Sequence, residues 1–201
     1  MSDEAPVVQE WVRAALGGDQ SAFGQLVEHY QRAVFNLAYR MLGDPSEAED
    51  AAQEAFVRAY ANLARYDTER PFKTWLLSIT SNHCIDRLRK RRLTWISIEE
   101  EGIMPHPALT SSEPGPEEAY LDEERSKNMQ ALLSQIPPDY RAVVVLRYWY
   151  DMSYTEIAEA LDTTESAIKS RLFRARQSLA ALLEPAAASP ARTMKPAMEG
   201  S

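Results

Sequence analysis

Two clusters of basic side chains have the residue types and spacing needed to hold nucleic acid. Residues 87–92 carry five cations in six positions, and residues 169–176 carry four in eight. Lysine and arginine neutralise phosphates and can also donate hydrogen bonds to base edges. Both clusters fall in stretches with helical spacing of apolar residues. The sequence therefore predicts two separate helical surfaces that face nucleic acid.

The net charge of the chain conceals these clusters. The 201 residues carry a formal net charge of −8, but the carboxylates are unevenly spread, since residues 94–126 hold nine of them and one arginine. Local fields, more than net charge, govern association with DNA. The acidic average is therefore compatible with a DNA-binding function.

The second cluster lies within a helix-turn-helix pattern. Ser153 and Glu156 have the spacing of a capping box, which predicts the start of a helix at about 154–160. The second helix of the pattern is predicted at about 164–183. Apolar residues of both helices can close a small core, and the opposite face of the second helix would enter the DNA major groove. For any one of these residues alone, the alternative interpretation is a basic helix that simply faces solvent. The residues taken together favour the DNA-binding helix. The predicted duplex-binding residues are Arg147, Ser166, Lys169, Ser170, Arg171, Phe173, Arg174 and Arg176.

The remaining pattern is helical on both sides of a Pro-containing, acidic stretch. Apolar spacing predicts helices at about 8–18, 21–42, 46–63 (capped by Ser46), 72–92, 117–135 and 138–149. Val143–Val145 could form a buried strand, but helical steps and flanking helices favour a helix. We predict an all-α fold with two small helical domains joined by a flexible acidic linker. Its predicted parts are residues 1–93, the linker 94–129, residues 130–184 and a disordered tail 185–201.

Composition argues against several other functions. Cys84 is the only cysteine, so neither an intramolecular disulfide nor a multi-thiolate zinc site can form. The three histidines are scattered and no Gly-rich phosphate loop is present, so we expect neither an enzyme nor a cofactor. No stretch approaches the ~18 apolar residues of a membrane span, and no signal-peptide pattern is seen. We therefore expect a cytoplasmic protein without membrane insertion.

Three motifs resemble the bacterial extracytoplasmic-function (ECF, group IV) sigma factors of the sigma-70 family. Residues 153–158 and 169–176 are similar to region 4, which in that family reads the minus-thirty-five promoter element as duplex. Residues 49–56 are similar to the region 2 helix that docks on RNA polymerase. Residues 72–79, with the basic cluster after them, are similar to the part of region 2 that captures the minus-ten strand.

The resemblance implies partners and site residues. It implies a sigma factor that binds core RNA polymerase and promoter DNA, and it implies an anti-sigma factor as a further partner. The implied polymerase contacts are Asp50, Gln53 and Glu54, although a solvated acidic face is the alternative. The implied minus-ten residues are Lys73, Asn82, Arg87, Arg89, Lys90, Arg91 and Arg92.

Strand capture would need a basic groove and a pocket for an unstacked base. The basic cluster can supply the groove, and the loop Arg65–Pro71 with Asn82 can supply the pocket. Trp75 is expected in the core, whereas Phe72 could serve as core or stacking platform. Asp151 and Asp162 stand where the family often has glycine, and aspartate tolerates left-handed backbone better than most residues.

The alternative function is a stand-alone helix-turn-helix regulator that works without polymerase. It would explain the C-terminal motif but leave the basic helix and the Asp50, Gln53 and Glu54 face without a role.

Overall fold

The computed structural model describes residues 6–100 and 127–183, with side chains in the first range described as far as Arg91. The predicted tail lies outside these ranges, and only residues 94–100 and 127–129 of the predicted linker lie within them. The described residues form helices and turns and contain no strand. The helices are α1 (Pro6–Leu16), α2 (Gln20–Leu42), α3 (Pro45–Asn62), a 3-10 turn (Leu63–Arg65), α4 (Phe72–Glu100), α5 (residues 127–134), α6 (Pro138–Trp149), α7 (Tyr154–Ala160) and α8 (Glu165–Leu183).

The junction of α2 and α3 is set by two residues with special backbone roles. Gly43 ends α2 in the left-handed region, at φ 85°, where glycine carries no steric penalty. Asp44 then caps α3 by accepting a 2.8 Å hydrogen bond from the Glu47 amide. The prediction that Ser46 is the cap was wrong, because Pro45 occupies the first helical position and suits it.

Helix α4 is longer than predicted. It continues to Glu100, past the expected end at residue 92. Residues 93–100 contain neither proline nor glycine, so nothing in them stops a helix that has already begun.

Helices α1 to α4 form the first module, with a core between them. Leu26, Phe72 and Leu76 are fully buried there. The Phe72 ring lies 5.8 Å from that of Tyr30 and 5.5 Å from that of Tyr66. Phe72 is therefore a core residue and not a stacking platform.

Helices α5 to α8 form the second module, which contains the predicted helix-turn-helix. Val143–Val145 is helical and buried, as the helical steps predicted. The capping box of Ser153 and Glu156 is present. Asp151 and Asp162 adopt left-handed backbone, at φ 52° and 47°, which confirms the reading of both as turn residues.

The two modules pack against each other. Leu37 and Met41 of α2 share one buried apolar cluster with Leu133, Ile136 and Ile157 of the second module. Within the described ranges, no helix has the length and apolar character needed to cross a membrane.

Candidate nucleic-acid interface

The outward face of α8 carries the residues predicted to read duplex DNA. Ile168, Leu172 and Ala175 turn inward and are buried. The opposite side of the helix is exposed and has polar and aromatic residues at its centre, and the Phe173 side chain is 61% exposed. At about 100° per residue, the cations lie to both sides of that centre. The exposed members are Ser166, Lys169, Ser170, Phe173, Arg174 and Arg176.

Two tyrosines of α6 hold arginines of this face. Arg174 Nη1 donates to the Tyr140 hydroxyl at 3.3 Å. Arg176 donates to the Tyr148 hydroxyl through Nε at 2.9 Å and through Nη2 at 2.6 Å. Each bond restricts a long side chain in the free protein, which would lower the entropy cost of any contact that this side chain makes to DNA.

The start of α8 is fixed to α7. Glu165 accepts a 2.6 Å hydrogen bond from the Thr155 hydroxyl, and this bond lowers the pKa of Glu165. Lys169 lies 3.6 Å from the Glu165 carboxylate and 5.8 Å from the centre of the Tyr154 ring. These contacts hold the turn between α7 and α8, and with it the start of α8, in one orientation.

Arg147 has a contact inside the protein that the sequence did not reveal. Its Nη1 donates to the Met152 carbonyl at 2.8 Å, and its guanidinium lies 5.4 Å from the Tyr154 ring centre. It braces the turn between α6 and α7. Arg171 is half-buried at the edge of the α8 face.

A cleft of about 390 Å³ lies between α3 and α4 in the first module. Asn82 and Arg65 line it, as predicted, but the rest of the Arg65–Pro71 loop does not. Trp75 also lines it while packing 5.0 Å from the Tyr66 ring, so Trp75 is part core and part cleft wall. The full lining is Arg58, Asn62, Arg65, Trp75, Ile79, Asn82, His83 and Asp86.

Sequence reasoning missed several of these cleft residues. Arg58 and Asn62 are four residues apart on α3, and this spacing would have revealed them once α3 was known to pack beside α4. The buried Nε2 of His83 has no hydrogen-bond partner in the part of the chain that the structure describes. Burial lowers the pKa of His83, so its neutral form is favoured.

The predicted minus-ten residues do not form one continuous patch. Arg89 pairs with Asp139 of α6 at 2.7 Å, and Arg91 pairs with Glu47 of α3 at 3.3 Å. Lys73 lines a separate cleft between the two modules. Lys90 is exposed, Arg87 is half-buried, and the side chain of Arg92 lies outside the described part.

The predicted polymerase contacts divide between two faces of α3. Gln53 lines an open groove of about 450 Å³ between α2 and α3, together with Glu49, Arg32, Phe35 and Phe56.

Glu54 instead faces α4. It accepts a 2.6 Å hydrogen bond from Arg58, which lowers the pKa of Glu54. Asp50 is exposed but does not line the groove. The groove residues Glu49 and Phe56 were missed, although they lie four residues before and three residues after Gln53 on one helical stripe.

Comparison with known proteins matches both modules. The model of sigma-70 region 2 matches residues 26–94, and that of sigma-70 region 4 matches residues 126–179. The ECF RNA polymerase sigma factor SigW of Bacillus subtilis is 37% identical over 177 residues, which cover 86% of this chain and 95% of SigW. This chain belongs to the ECF sigma factors of the sigma-70 family.

Other relatives agree with this assignment. The ECF sigma-E factor of Escherichia coli K12 is 33% identical over 174 residues, which cover 84% of this sigma factor and 90% of the relative. The structure of CnrH in complex with the cytosolic domain of CnrY superposes with a TM-score of 0.63 at 28% identity. It covers 88% of this sigma factor and 97% of CnrH. The predicted all-α fold with two sigma modules is confirmed.

Replacing Tyr148 with phenylalanine should weaken duplex binding by the sigma factor roughly two- to tenfold, because Arg176 loses the hydroxyl that orders it. Base preference should stay the same, because Arg176 lies at the side of the α8 face and phosphate contacts carry no sequence information. Competition binding with single-base variants of the upstream element measures both effects. Tyr60→Phe, an exposed tyrosine of α3, is the matched control. If Tyr148→Phe binds the duplex as tightly as the original protein does, Tyr148 does not position Arg176.

Proposed function

We propose that this sigma factor binds core RNA polymerase and directs promoter-specific initiation with a separate role for each module. The second module reads the minus-thirty-five element as duplex, and the first module captures the minus-ten strand as it opens. The observation that supports the proposal is the presence of two unlike surfaces that carry basic residues. One is a convex helix face, and the other is a cleft beside basic residues.

Duplex reading follows from the geometry of α8. The major groove of DNA is wide enough to admit an α-helix. Within it, arginine can donate hydrogen bonds to guanine, and an apolar side chain can contact the methyl group of thymine. Arg174 and Phe173 supply these two kinds of contact, and Ser166 and Ser170 can donate to bases or phosphates. Lys169 and Arg176, at the side of the face, suit phosphate contacts that fix its position.

Strand capture follows from the cleft between α3 and α4. A base that leaves the stack needs an apolar wall and polar groups for its edge. Trp75 and Ile79 supply the wall, and Asn82 and Asp86 supply hydrogen-bonding groups. We expect Arg89 and Arg91, farther along α4, to leave their present carboxylate partners and contact the strand backbone.

Polymerase binding is proposed for the groove between α2 and α3. It has the mixed apolar and polar lining of a protein interface, with Phe35 and Phe56 beside Gln53 and Arg32. Gln53 contacts the polymerase from within the groove, and Asp50 contributes from the exposed surface beside it. Glu54 would contact the polymerase from the other face of α3. The chain is then an initiation factor that lends specificity to a larger enzyme and performs no catalysis itself, and it works in the cytoplasm beside that enzyme.

The residues between the modules are proposed to act as a tether, with module boundaries near residues 93 and 130. An anti-sigma factor is proposed as a further partner, because the family resemblance implies one. One structural relative, RpoE of Bartonella quintana, was solved with the anti-sigma factor NepR.

Co-purification with core polymerase tests the polymerase-dependent function. The intact chain should form a stable equimolar complex, and Gln53→Ala should weaken it. Glu10→Ala, which removes an exposed carboxylate of α1, should not. Specific operator binding by the free chain, without any complex with polymerase, would instead favour the stand-alone regulator.

Replacing Arg89 and Arg91 with glutamine should slow open-complex formation and flatten its salt dependence. Each lost phosphate contact to a single strand removes about 0.7 from the slope of log affinity against log salt. Permanganate footprinting over a salt series measures both effects. Arg13→Gln on α1 is the control for a lost surface arginine. If the permanganate footprints appear as fast with this variant as with the original protein, Arg89 and Arg91 take no part in strand capture.

A further inference from the structure

Two arginines of α8 are held by uncharged acceptors. Within the described ranges, Arg174 and Arg176 form no ion pair with a carboxylate, and each donates to a tyrosine hydroxyl of α6 instead. The arginines that do pair with a carboxylate there are Arg58, Arg70, Arg89 and Arg91. A phenol carries no charge, so no ion pair has to be broken before Arg174 or Arg176 meets an anion.

The Tyr148 hydroxyl accepts twice from Arg176 and keeps its own hydrogen to donate. The two bonds come from Nε at 2.9 Å and from Nη2 at 2.6 Å. A phenolic hydroxyl can accept and donate at the same time. Arg176 fills the accepting side, and the O–H donates to no acceptor in the part of the chain that the structure describes. Hydrogen bonds from a cation polarise the hydroxyl, which strengthens the O–H as a donor.

The surroundings of Tyr148 leave this donor open to a ligand. Tyr148 is 52% exposed, and its ring centre lies 5.8 Å from Cζ of the exposed Arg176. Tyr150, two residues later, is half-buried and uses its O–H on the Ala33 carbonyl at 2.6 Å. Arg176 also has N–H groups beyond the two that Tyr148 accepts. The pair therefore offers hydroxyl and guanidinium donors side by side at the surface.

Arg176 lies on the same edge of the α8 face as Lys169. Seven residues separate them, which is about two helical turns or 10.5 Å along the axis. Both side chains are exposed, whereas Arg174 lies on the opposite edge, beyond Phe173. When α8 lies in the major groove, the DNA strand that borders this edge would pass Lys169 and Arg176 in turn. Tyr148 extends the edge from α8 onto α6.

We propose that Tyr148 and Arg176 together bind one phosphate of the DNA backbone, with the Tyr148 O–H and the free N–H groups of Arg176 donating to the same phosphate. The inference rests on the proposed duplex reading by α8. It makes Tyr148 a DNA-contacting residue in addition to its effect on the orientation of Arg176. The site fixes where the backbone passes along α8 and adds no base preference.

The salt dependence of binding separates the two donors. The measurement uses the holoenzyme and a duplex carrying the upstream element of a promoter at which it initiates. Arg176→Ala should weaken binding roughly five- to fiftyfold and lower the slope of log affinity against log salt by about 0.9, because one phosphate contact of a cation is lost. Tyr148→Phe, added to Arg176→Ala, should weaken binding about two- to fivefold more and leave the slope unchanged, because a phenol is uncharged.

Single methylphosphonate linkages in the duplex locate the phosphate. Each such linkage removes the charge and one acceptor oxygen of one phosphate. At one linkage the original protein should lose affinity, whereas Tyr148→Phe and Arg176→Ala should both lose much less, because each already lacks part of that contact. Lys169→Ala is the matched control on the same edge of α8, and it should lose as much affinity at this linkage as the original protein does.

The outcomes distinguish this site from the duplex reading on which it depends. If Tyr148→Phe has no effect in the Arg176→Ala background, Tyr148 only orients Arg176, and the shared phosphate site is refuted. It is also refuted if the two variants become insensitive at different linkages. If the original holoenzyme binds the element no better than an unrelated duplex, duplex reading by α8 fails, and this inference fails with it.

Discussion

Replacing Arg141 with alanine should lower the free energy of unfolding by about 2–4 kcal/mol. Arg141 is 5% exposed and donates to the carbonyls of Ser134 at 2.8 Å, Ile136 at 3.3 Å and Met41. Alanine would leave these buried acceptors unsatisfied and a cavity where the guanidinium had been. Urea denaturation followed by circular dichroism measures the loss.

The matched control for this substitution is Arg13→Ala. Arg13 is also helical and also donates to a backbone carbonyl, that of Gln9 at 3.2 Å, but it is exposed. Its loss should change stability by less than about 0.5 kcal/mol. If the two variants unfold at the same urea concentration, the buried arginine contributes no more than a surface one, and its role in joining the modules is refuted.

Replacing Arg174 with alanine should weaken binding at the upstream promoter element roughly 5- to 150-fold, the range for losing an arginine that reads a base. Arg174 is exposed on α8 and is oriented by the Tyr140 hydroxyl. Because the proposed contact of Arg174 is to a base, affinity should fall most on the preferred sequence. The differences in affinity among single-base variants should become smaller. Fluorescence anisotropy of the holoenzyme on a set of such duplexes measures this.

The Arg174→Lys variant distinguishes the loss of base recognition from the loss of positive charge. Lysine keeps the charge but lacks the planar fork, so phosphate attraction should persist while base preference relaxes. If Arg174→Ala lowers affinity equally on every duplex, Arg174 is a phosphate contact. If it lowers affinity on none, α8 does not read this element.

Local sequence signals predicted the second module well. The Ser153 and Glu156 spacing specified the start of α7, whereas the family resemblance identified Asp151 and Asp162 as residues of the turns around it. The outward face of α8 followed from helical spacing alone. These features depend on interactions between residues only a few positions apart, which a single sequence displays directly.

Features that depend on distant packing were not predictable. Glu54 and Gln53 are adjacent in sequence but face different partners, because α4 packs on one side of α3 and leaves the groove open on the other. Asn82 meets Ala160 across 78 positions of the chain, and that contact exists only because the modules dock. The Arg147 bond to the Met152 carbonyl likewise depends on how the turn closes.

Run-off transcription with purified core RNA polymerase tests the central claim most directly. Core polymerase with this chain should initiate at a defined subset of start sites in a genomic template library, and polymerase without it should not. The Arg174→Ala variant should shift which sites are used, and the Arg89→Gln with Arg91→Gln variant should reduce initiation at all of them. Identical transcripts with and without the chain would contradict the account.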